Sequence, residues 1–356
     1  MHSSAEADSD EVDPVQDDRP LVGDDTVGAP STADSPRRIS AAVPVTDRIF
    51  RGAAALSGIL VLVVMGGIGL FLAYQSVPTL RVLGWSFFTE RQWLPEQNKL
   101  GIAAVLAGTV QVATVAIVIA FPLALGVALF ISEYAPRRWR RTLIALLDLM
   151  AAIPSVVYGL WGFFFLQPQI IYLSRWLGDH LGFIPFFHVR TDPAFPGWEQ
   201  NLYTSSAFIA GVVVALMVMP FAASVMREVF SQAPLSEREG ALALGSTRWG
   251  VIRAVVLPFG RGGIIGGTML ALGRALGETI AVLLIISPAF DLKWSVVERG
   301  TITVSTLIAG RFGDAVGFQI SALLAAGLVL FLFTLLINTL ASLLVTRARS
   351  GAATEI

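Results

Sequence analysis

Six long apolar segments leave this chain few ways to fold. They run Gly52–Tyr74, Ile102–Ile131, Thr142–Leu166, Thr204–Met226, Gly262–Ser287 and Val316–Thr346. Each is long enough to cross a hydrocarbon core of about 30 Å as a helix. No water reaches such a core, so every segment must satisfy its own backbone N–H and C=O groups, and a helix does so. The expected fold is therefore all-α, a polytopic membrane protein with six transmembrane helices. The second and last segments exceed the minimum and should tilt or protrude. Pro122, Pro154 and Pro220 lie inside spans, where a kinked helix can be held by its neighbours. Cysteine is absent, which excludes disulfides and thiolate metal sites.

The polar remainder sets the domain limits. Residues 1–47 are acidic and rich in Ser, Pro and Asp, with no hydrophobic period. They read as a disordered cytoplasmic tail, without the basic and apolar regions of a signal peptide. Residues 48–349 form the six-helix domain, and 350–356 a second short cytoplasmic tail. Arginine placement gives the orientation. With the N-terminus inside, Arg37, Arg38, Arg48, Arg51 and the cluster Arg137, Arg138, Arg140 and Arg141 fall on the inner side. Arg227, Arg238, Arg248, Arg253, Arg261, Arg347 and Arg349 follow them. This agrees with the positive-inside rule and puts both termini in the cytoplasm. On the outer side, Gln75–Gly101 carries Trp85, Phe87, Phe88 and Trp93, read as an aromatic belt at the interface. Gln167–Tyr203 reads as the longest outer loop. None of these loops is large enough for a solute-capturing domain.

Two stretches carry chemistry. The first is Ser236–Pro258, SEREGALALGSTRWGVIRAVVLP, a polar interlude on the inner side. Pro234 stops a helix upstream, Ser236 caps the next, and Glu239 completes a capping box three residues on. Gly245 ends that helix in a left-handed conformation. Ser246 or Thr247 starts a second short helix leading to Leu257 and Pro258. Two short helices around a glycine elbow suit docking into a groove on a partner, although spacing alone favours an ordinary basic loop on the lipid surface. The second stretch lies in the fifth span. Arg274 and Glu278 stand four residues apart, which on a continuous helix places them on one face. A charge at mid-membrane costs about 2.5–3.5 kcal/mol on insertion scales, so these two face each other or an aqueous path. An arginine fork suits a tetrahedral oxyanion. Gly263, Gly267, Ala271 and Ala275 fall near the same side, leaving room for close helix approach or a narrow passage. Tyr158, Ser155 and Thr279 could offer hydroxyls to an anion, and core packing explains them equally well. Asp148 stands near the inner interface; His180 and His188 lack metal-ligand spacing.

The loop resembles the E-A-A coupling loop of bacterial ABC-importer permeases. Glu239, Gly240 and Ala241 stand for E-A-A, Gly245 for the glycine, Val255 for the isoleucine and Leu257-Pro258 for L-P. Gly240 departs from alanine and should weaken the helix by roughly 0.5–1 kcal/mol. Gly273–Thr279 reads GRALGET and Ile153–Gly159 reads IPSVVYG. Together these resemble the PstC-type permeases of high-affinity phosphate importers, over roughly residues 50–348. Sulfate and molybdate permeases share the R-A-L-G-E core but usually place an aromatic residue where Thr279 stands. The resemblance implies a type I ABC-importer permease architecture with Arg274, Glu278 and Thr279 on the substrate path. It implies ATPase coupling through Glu239, Gly240, Ala241, Gly245, Leu257 and Pro258. It further implies a heterodimer with a PstA-like permease, two PstB-like ATPase subunits and an external PstS-like phosphate-binding protein. ATP and Mg would be bound by the ATPase partners, and no cofactor by this chain.

Other classes fit less well. There is no H-E-x-x-H, no G-x-S-x-G and no P-loop; the lysines are Lys99 and Lys293, and neither follows G-x-x-x-x-G. An ion-coupled carrier could use Arg274 and Glu278 but has no use for the coupling loop.

Overall fold

The computed structural model describes residues 45–97, 99–190 and 200–349. The acidic tail, up to residue 44, and the tail from residue 350 lie outside the described residues. The chain divides into two units, residues 1–59 and 60–356. In the first, the described residues are the opening turns of helix α1 (Val45–Leu83).

The second unit holds the remaining elements. After α1 come the short α2 (Ser86–Thr89) and a two-residue hairpin, β1 (Trp93–Leu94) against β2 (Lys99–Leu100). Helix α3 (Ala103–Leu129) continues through a wide π turn at Phe130–Tyr134. Then follow α4 (Arg137–Ala152), α5 (Ser155–Trp161), a second π turn (Gly162–Leu166) and α6 (Gln167–Leu181). Helix α7 (Ala207–Ser231) leads to α8 (Leu235–Ala243) and α9 (Arg248–Val251). A third π turn (Ile252–Val256) joins α9 to α10 (Leu257–Gly277), and α11 (Ile280–Ile285) follows. The chain ends in α12 (Val304–Arg311) and α13 (Phe318–Arg349). Among the described residues, six helical stretches are long and apolar enough to cross a membrane, as expected. Their limits are Thr46–Leu83, Ala103–Tyr134, Ser155–Leu181, Ala207–Ser231, Arg248–Gly277 and Phe318–Leu343.

Two of these limits correct the sequence reading. The third span was placed at Thr142–Leu166, with Pro154 inside it. Pro154 instead ends α4, because a residue before proline is pushed out of the helical region; Ile153 sits at φ −65°, ψ 128°. The span proper begins at Ser155 and absorbs much of the supposed outer loop as α6. The fifth span was placed at Gly262–Ser287. The helix instead starts at Arg248 and stops at Gly277, and Glu278 is extended at φ −66°, ψ 131°. From Ile286 to Thr303 the backbone is irregular. It is tolerated because it is buried in protein and stitched to its neighbours. Val304 N–H donates to Thr109 Oγ1 at 3.0 Å, and Phe208 N–H to the Val296 carbonyl at 2.7 Å. Lys293 and Glu298 pair at 2.8 Å in the same stretch.

The core is built on small residues. Hydrocarbon gives helices little hydrophobic reason to associate, so close backbone approach and van der Waals contact must hold them. Along α3, Ala113, Ala116, Ala120, Ala124 and Ala128 are buried against the α7 cluster. Across α7 lies α10, where Gly260, Gly263 and Gly267 are buried. A Cβ on Gly260 would come 2.3 Å from the Phe230 ring, on Gly263 2.6 Å from Val229 Cβ, and on Gly267 2.9 Å from the Ala222 carbonyl oxygen. The expected small-residue face therefore serves close packing. A second cluster gathers Phe87, Trp93, Leu100 and Ile102 with Ile302, Leu307 and Leu323. Phe87 and Trp93 are thus core residues, not members of an interfacial belt; Trp85 stays 78% exposed.

Candidate functional site

The elbow at Ser236–Pro258 is built by backbone geometry. Helix α8 starts directly after Pro234, which has ψ 131° and offers no side-chain cap. Ser236 therefore lies inside the first turn, and the expected capping box is absent. Pro234 has no hydroxyl to offer at that position, so the helix begins without a side-chain cap. At the other end, Ser246 N–H donates to the Ala241 carbonyl at 3.1 Å and Gly245 N–H to the Leu242 carbonyl at 2.9 Å. These are the two bonds of a Schellman cap, which requires a left-handed residue; Gly245 has φ +84°. The four-residue offset from Ala241 to Gly245 is the length of that cap, so the motif spacing has a mechanical reason. Thr247 then caps α9 by accepting from Gly250 N–H at 3.2 Å.

Here the structure departs again from the reading of two short helices. The second helix does not end at Leu257-Pro258 but runs on as a 30-residue stretch, Arg248–Gly277. The π turn allows this. Leu257 N–H reaches back five residues to the Ile252 carbonyl, and the widened turn makes room for a proline that would otherwise clash with the preceding turn. Glu239, Gly240 and Pro258 are exposed, and Ala241 and Leu257 are half-buried. Around them Leu235, Leu242, Leu244 and Trp249 are 68%, 51%, 89% and 57% exposed. Apolar side chains are thus held far out on a polar loop.

One fastening was missed. Arg238 on α8 donates to Glu133 Oε2 at 3.0 Å and to the Phe230 carbonyl at 2.6 Å. Glu133 belongs to the π turn that ends the second span. The pair ties the elbow to the adjoining ends of the second and fourth spans, with side-chain exposures of only 19% and 12%. The two residues are 105 positions apart; a lone carboxylate at the end of an apolar span was the sequence's sole hint.

At the far end of the long helix, Arg274 lines a cavity of about 870 Å³ with Phe221, Gly273, Phe331, Thr334 and Asn338 among its walls. Its guanidinium carbon lies 4.2 Å from the Phe221 ring centroid. Glu278 is not on the same helix face, because the helix ends between them, and no ion pair joins the two. Its carboxylate instead accepts from Ala281 N–H at 3.2 Å and so starts α11. Thr279 donates to the Gly277 carbonyl at 3.2 Å. Glycine followed by an acid and an apolar run is a stop-and-restart signal, and it was legible in Gly277-Glu278-Thr279.

The break at Glu278 has a twin. Tyr158, in the IPSVVYG stretch, donates its hydroxyl to the Met150 carbonyl at 3.0 Å, bridging the break at Ile153-Pro154. The two broken regions touch, since a Cβ on Gly159 would come 2.9 Å from Ala281 Cα. The GRALGET and IPSVVYG stretches therefore lead into helices packed side by side. Tyr158 is thus engaged structurally. Asp148, His180 and His188 are exposed, and no cluster of metal-ligating side chains occurs among the described residues.

Comparison with known proteins now decides the family. Residues 120–350 match the family described as "Binding-protein-dependent transport system inner membrane component". The phosphate transport system permease protein PstC of Xylella fastidiosa is 41% identical over 288 residues, 81% of this chain and 86% of the relative. PstC of Mesorhizobium japonicum is 40% identical over 317 residues, covering 86% and 93%. PstC 2 of Mycobacterium tuberculosis is 38% identical over 299 residues, covering 83% and 90%. The chain belongs to this permease family, in its PstC branch. The fold agrees: a chain of a bacterial ABC transporter involved in import of the acidic polysaccharide alginate superposes with TM-score 0.53 at 18% identity, over 85% of this chain and 97% of that one. The permease is accordingly a multi-pass inner-membrane protein.

Within the elbow of the permease, Gly245 is the residue with a left-handed conformation. A left-handed turn costs a residue with a Cβ about 1–2 kcal/mol, and a β-branched side chain more. Nothing lies within 4 Å of the added atom, so the penalty is conformational and not steric. Gly245→Val should leave membrane insertion intact and reduce ATP hydrolysis stimulated by loaded binding protein. Undiminished stimulation in purified complex would remove the elbow from coupling.

Proposed function

We propose that this chain is the permease subunit of an ATP-driven importer of inorganic phosphate. It would form the translocation path with a second, PstA-like permease and take its power from two PstB-like ATPases at the elbow. A PstS-like protein would deliver phosphate from outside, with both termini of this chain in the cytoplasm. ATP and Mg belong to the ATPase partners in this reading, and no covalent chemistry occurs here.

The observation that carries the proposal is the single helical stretch Arg248–Gly277, which starts at the elbow and ends beside Arg274. At 1.5 Å per residue, the 26 positions between Arg248 and Arg274 span about 39 Å. One rigid element thus reaches from the exposed apolar side chains of the elbow to the cation of the cavity. Closure of an ATPase dimer beneath the elbow would move that element as a body, switching the cavity between inward and outward access. The name shared by the relatives, and the oxyanion chemistry of an arginine fork, point to phosphate as cargo.

The test is reconstitution of the two permeases with ATPase in proteoliposomes, with labelled phosphate and binding protein outside. Uptake should require both ATP and loaded binding protein. Uptake driven by an ion gradient without ATP, or supported equally by sulfate with its own binding protein, would reject the reading.

A further inference from the structure

We infer that Asn338, with Thr334, completes the phosphate contact in the cavity that holds Arg274. This rests on the reading of the cavity as the path. Both residues lie on α13, and both line the cavity with Arg274 and Gly273. A Cβ on Gly273 would lie 3.5 Å from Asn338 Oδ1 and 3.7 Å from Nδ2, so the amide sits directly against the residue before Arg274.

Asn338 needs an explanation. It lies within the apolar helical stretch Phe318–Leu343. A carboxamide without partners in hydrocarbon is costly, and polar side chains at that depth face an interior or an aqueous path. The hydroxyls of its neighbours are satisfied within their own helix: Thr334 donates to the Phe331 carbonyl at 2.9 Å, Thr339 to Leu335 at 2.7 Å and Ser342 to Thr339 at 2.9 Å. Among the described residues, Asn338 has no such bond, and its side chain is exposed to the cavity.

The complement of donors and acceptors fits a protonated oxyanion. The Arg274 guanidinium carbon lies over the Phe221 ring, and a guanidinium carries five N–H donors and no acceptor. Asn338 adds two donors and one acceptor. Thr334 has committed its proton to Phe331, so its oxygen can only accept. Inorganic phosphate keeps at least one proton near neutral pH and needs an acceptor as well as donors, which Asn338 Oδ1 and Thr334 Oγ1 supply. With Glu278 engaged at Ala281 N–H, the second polar partner for the cargo comes from α13 and not from the GRALGET stretch itself.

The experiment measures labelled phosphate uptake and ATP hydrolysis together, in proteoliposomes holding the full complex and loaded binding protein. Asn338→Leu keeps the volume and removes the hydrogen bonds. It should lower uptake about tenfold, the factor expected for one lost hydrogen bond to a charged group, while hydrolysis stays stimulated as in the parent. Asn338→Asp keeps the shape and places a negative charge beside the anion, and it too should lower uptake with hydrolysis retained. Parental uptake by Asn338→Leu overturns the inference. Should that variant fail to assemble, parental uptake by Asn338→Asp overturns it instead. Arg274→Lys in the same assay separates the two readings. If it loses uptake while both Asn338 variants transport normally, the cavity remains the path and Asn338 is outside it. If all three transport normally, the path reading falls as well.

Discussion

Arg274→Lys is expected to cut phosphate uptake by one to two orders of magnitude while the complex assembles normally. Lysine keeps the charge but loses the planar fork and its paired donors, and a hydrogen bond to a charged group is worth about 1.5–3 kcal/mol. Assembly should survive because Arg274 is exposed to the cavity and its neighbour in space is the Phe221 ring, over which an ammonium can also sit. Glu278→Gln should do far less. Its carboxylate starts α11 by accepting from Ala281 N–H, and an amide oxygen can accept there too. Four-residue spacing had placed the two on one helix face; the helix break between them removes that relation. Uptake of labelled phosphate, set against the amount of assembled complex, decides the matter. Parental uptake by Arg274→Lys would exclude a fork on the anion.

Gly267→Val should abolish the assembled complex. The new Cβ would lie 2.9 Å from the Ala222 carbonyl oxygen and 3.2 Å from Met226 Cγ. The first of these is backbone inside α7 and cannot rotate away, so the two helices must separate. Overpacking of this kind commonly costs about 1–3 kcal/mol in a soluble core. In a bilayer the loss is aggravated, because close approach is itself what holds the helices together. Gly240→Val provides the contrast, since nothing lies within 4 Å of its added atom and the residue is exposed. The measurement is complex recovered after mild detergent extraction. Equal recovery of both variants would show that the glycine face is not a packing surface.

The sequence revealed the spans more faithfully than their ends. Apolar runs at Ile102–Ile131 and Thr204–Met226 were placed within a few residues, because length and hydropathy determine a membrane crossing. Pro154 and Gly277 were read as features within spans, although each ends a helix. Proline and glycine permit either outcome, and the choice depends on whether a neighbour can satisfy the freed backbone; here Tyr158 and Glu278 do. Phe87 and Trp93 were read as interfacial because composition cannot tell an aromatic residue facing headgroups from one facing the irregular stretch before α12. Gly245 was read correctly because its role is local, a left-handed turn after a short helix. Glu133 and Arg238 belong to the opposite case, since only the folded chain brings them to 3.0 Å.

If the long helix tips during transport, its glycine contacts would serve as the fulcrum. Gly263 stands 15 positions beyond Arg248 and 11 before Arg274, arms of about 22 Å and 16 Å at 1.5 Å per residue. If the helix tips about the place where it touches Val229, the cavity end swings opposite to the elbow and by about three-quarters as far. Side chains there would be the worst possible lubricant, catching with every tilt. Bare α10 backbone at this point, set against the Val229 and Phe230 side chains, would let the helix tilt without two rows of side chains interlocking.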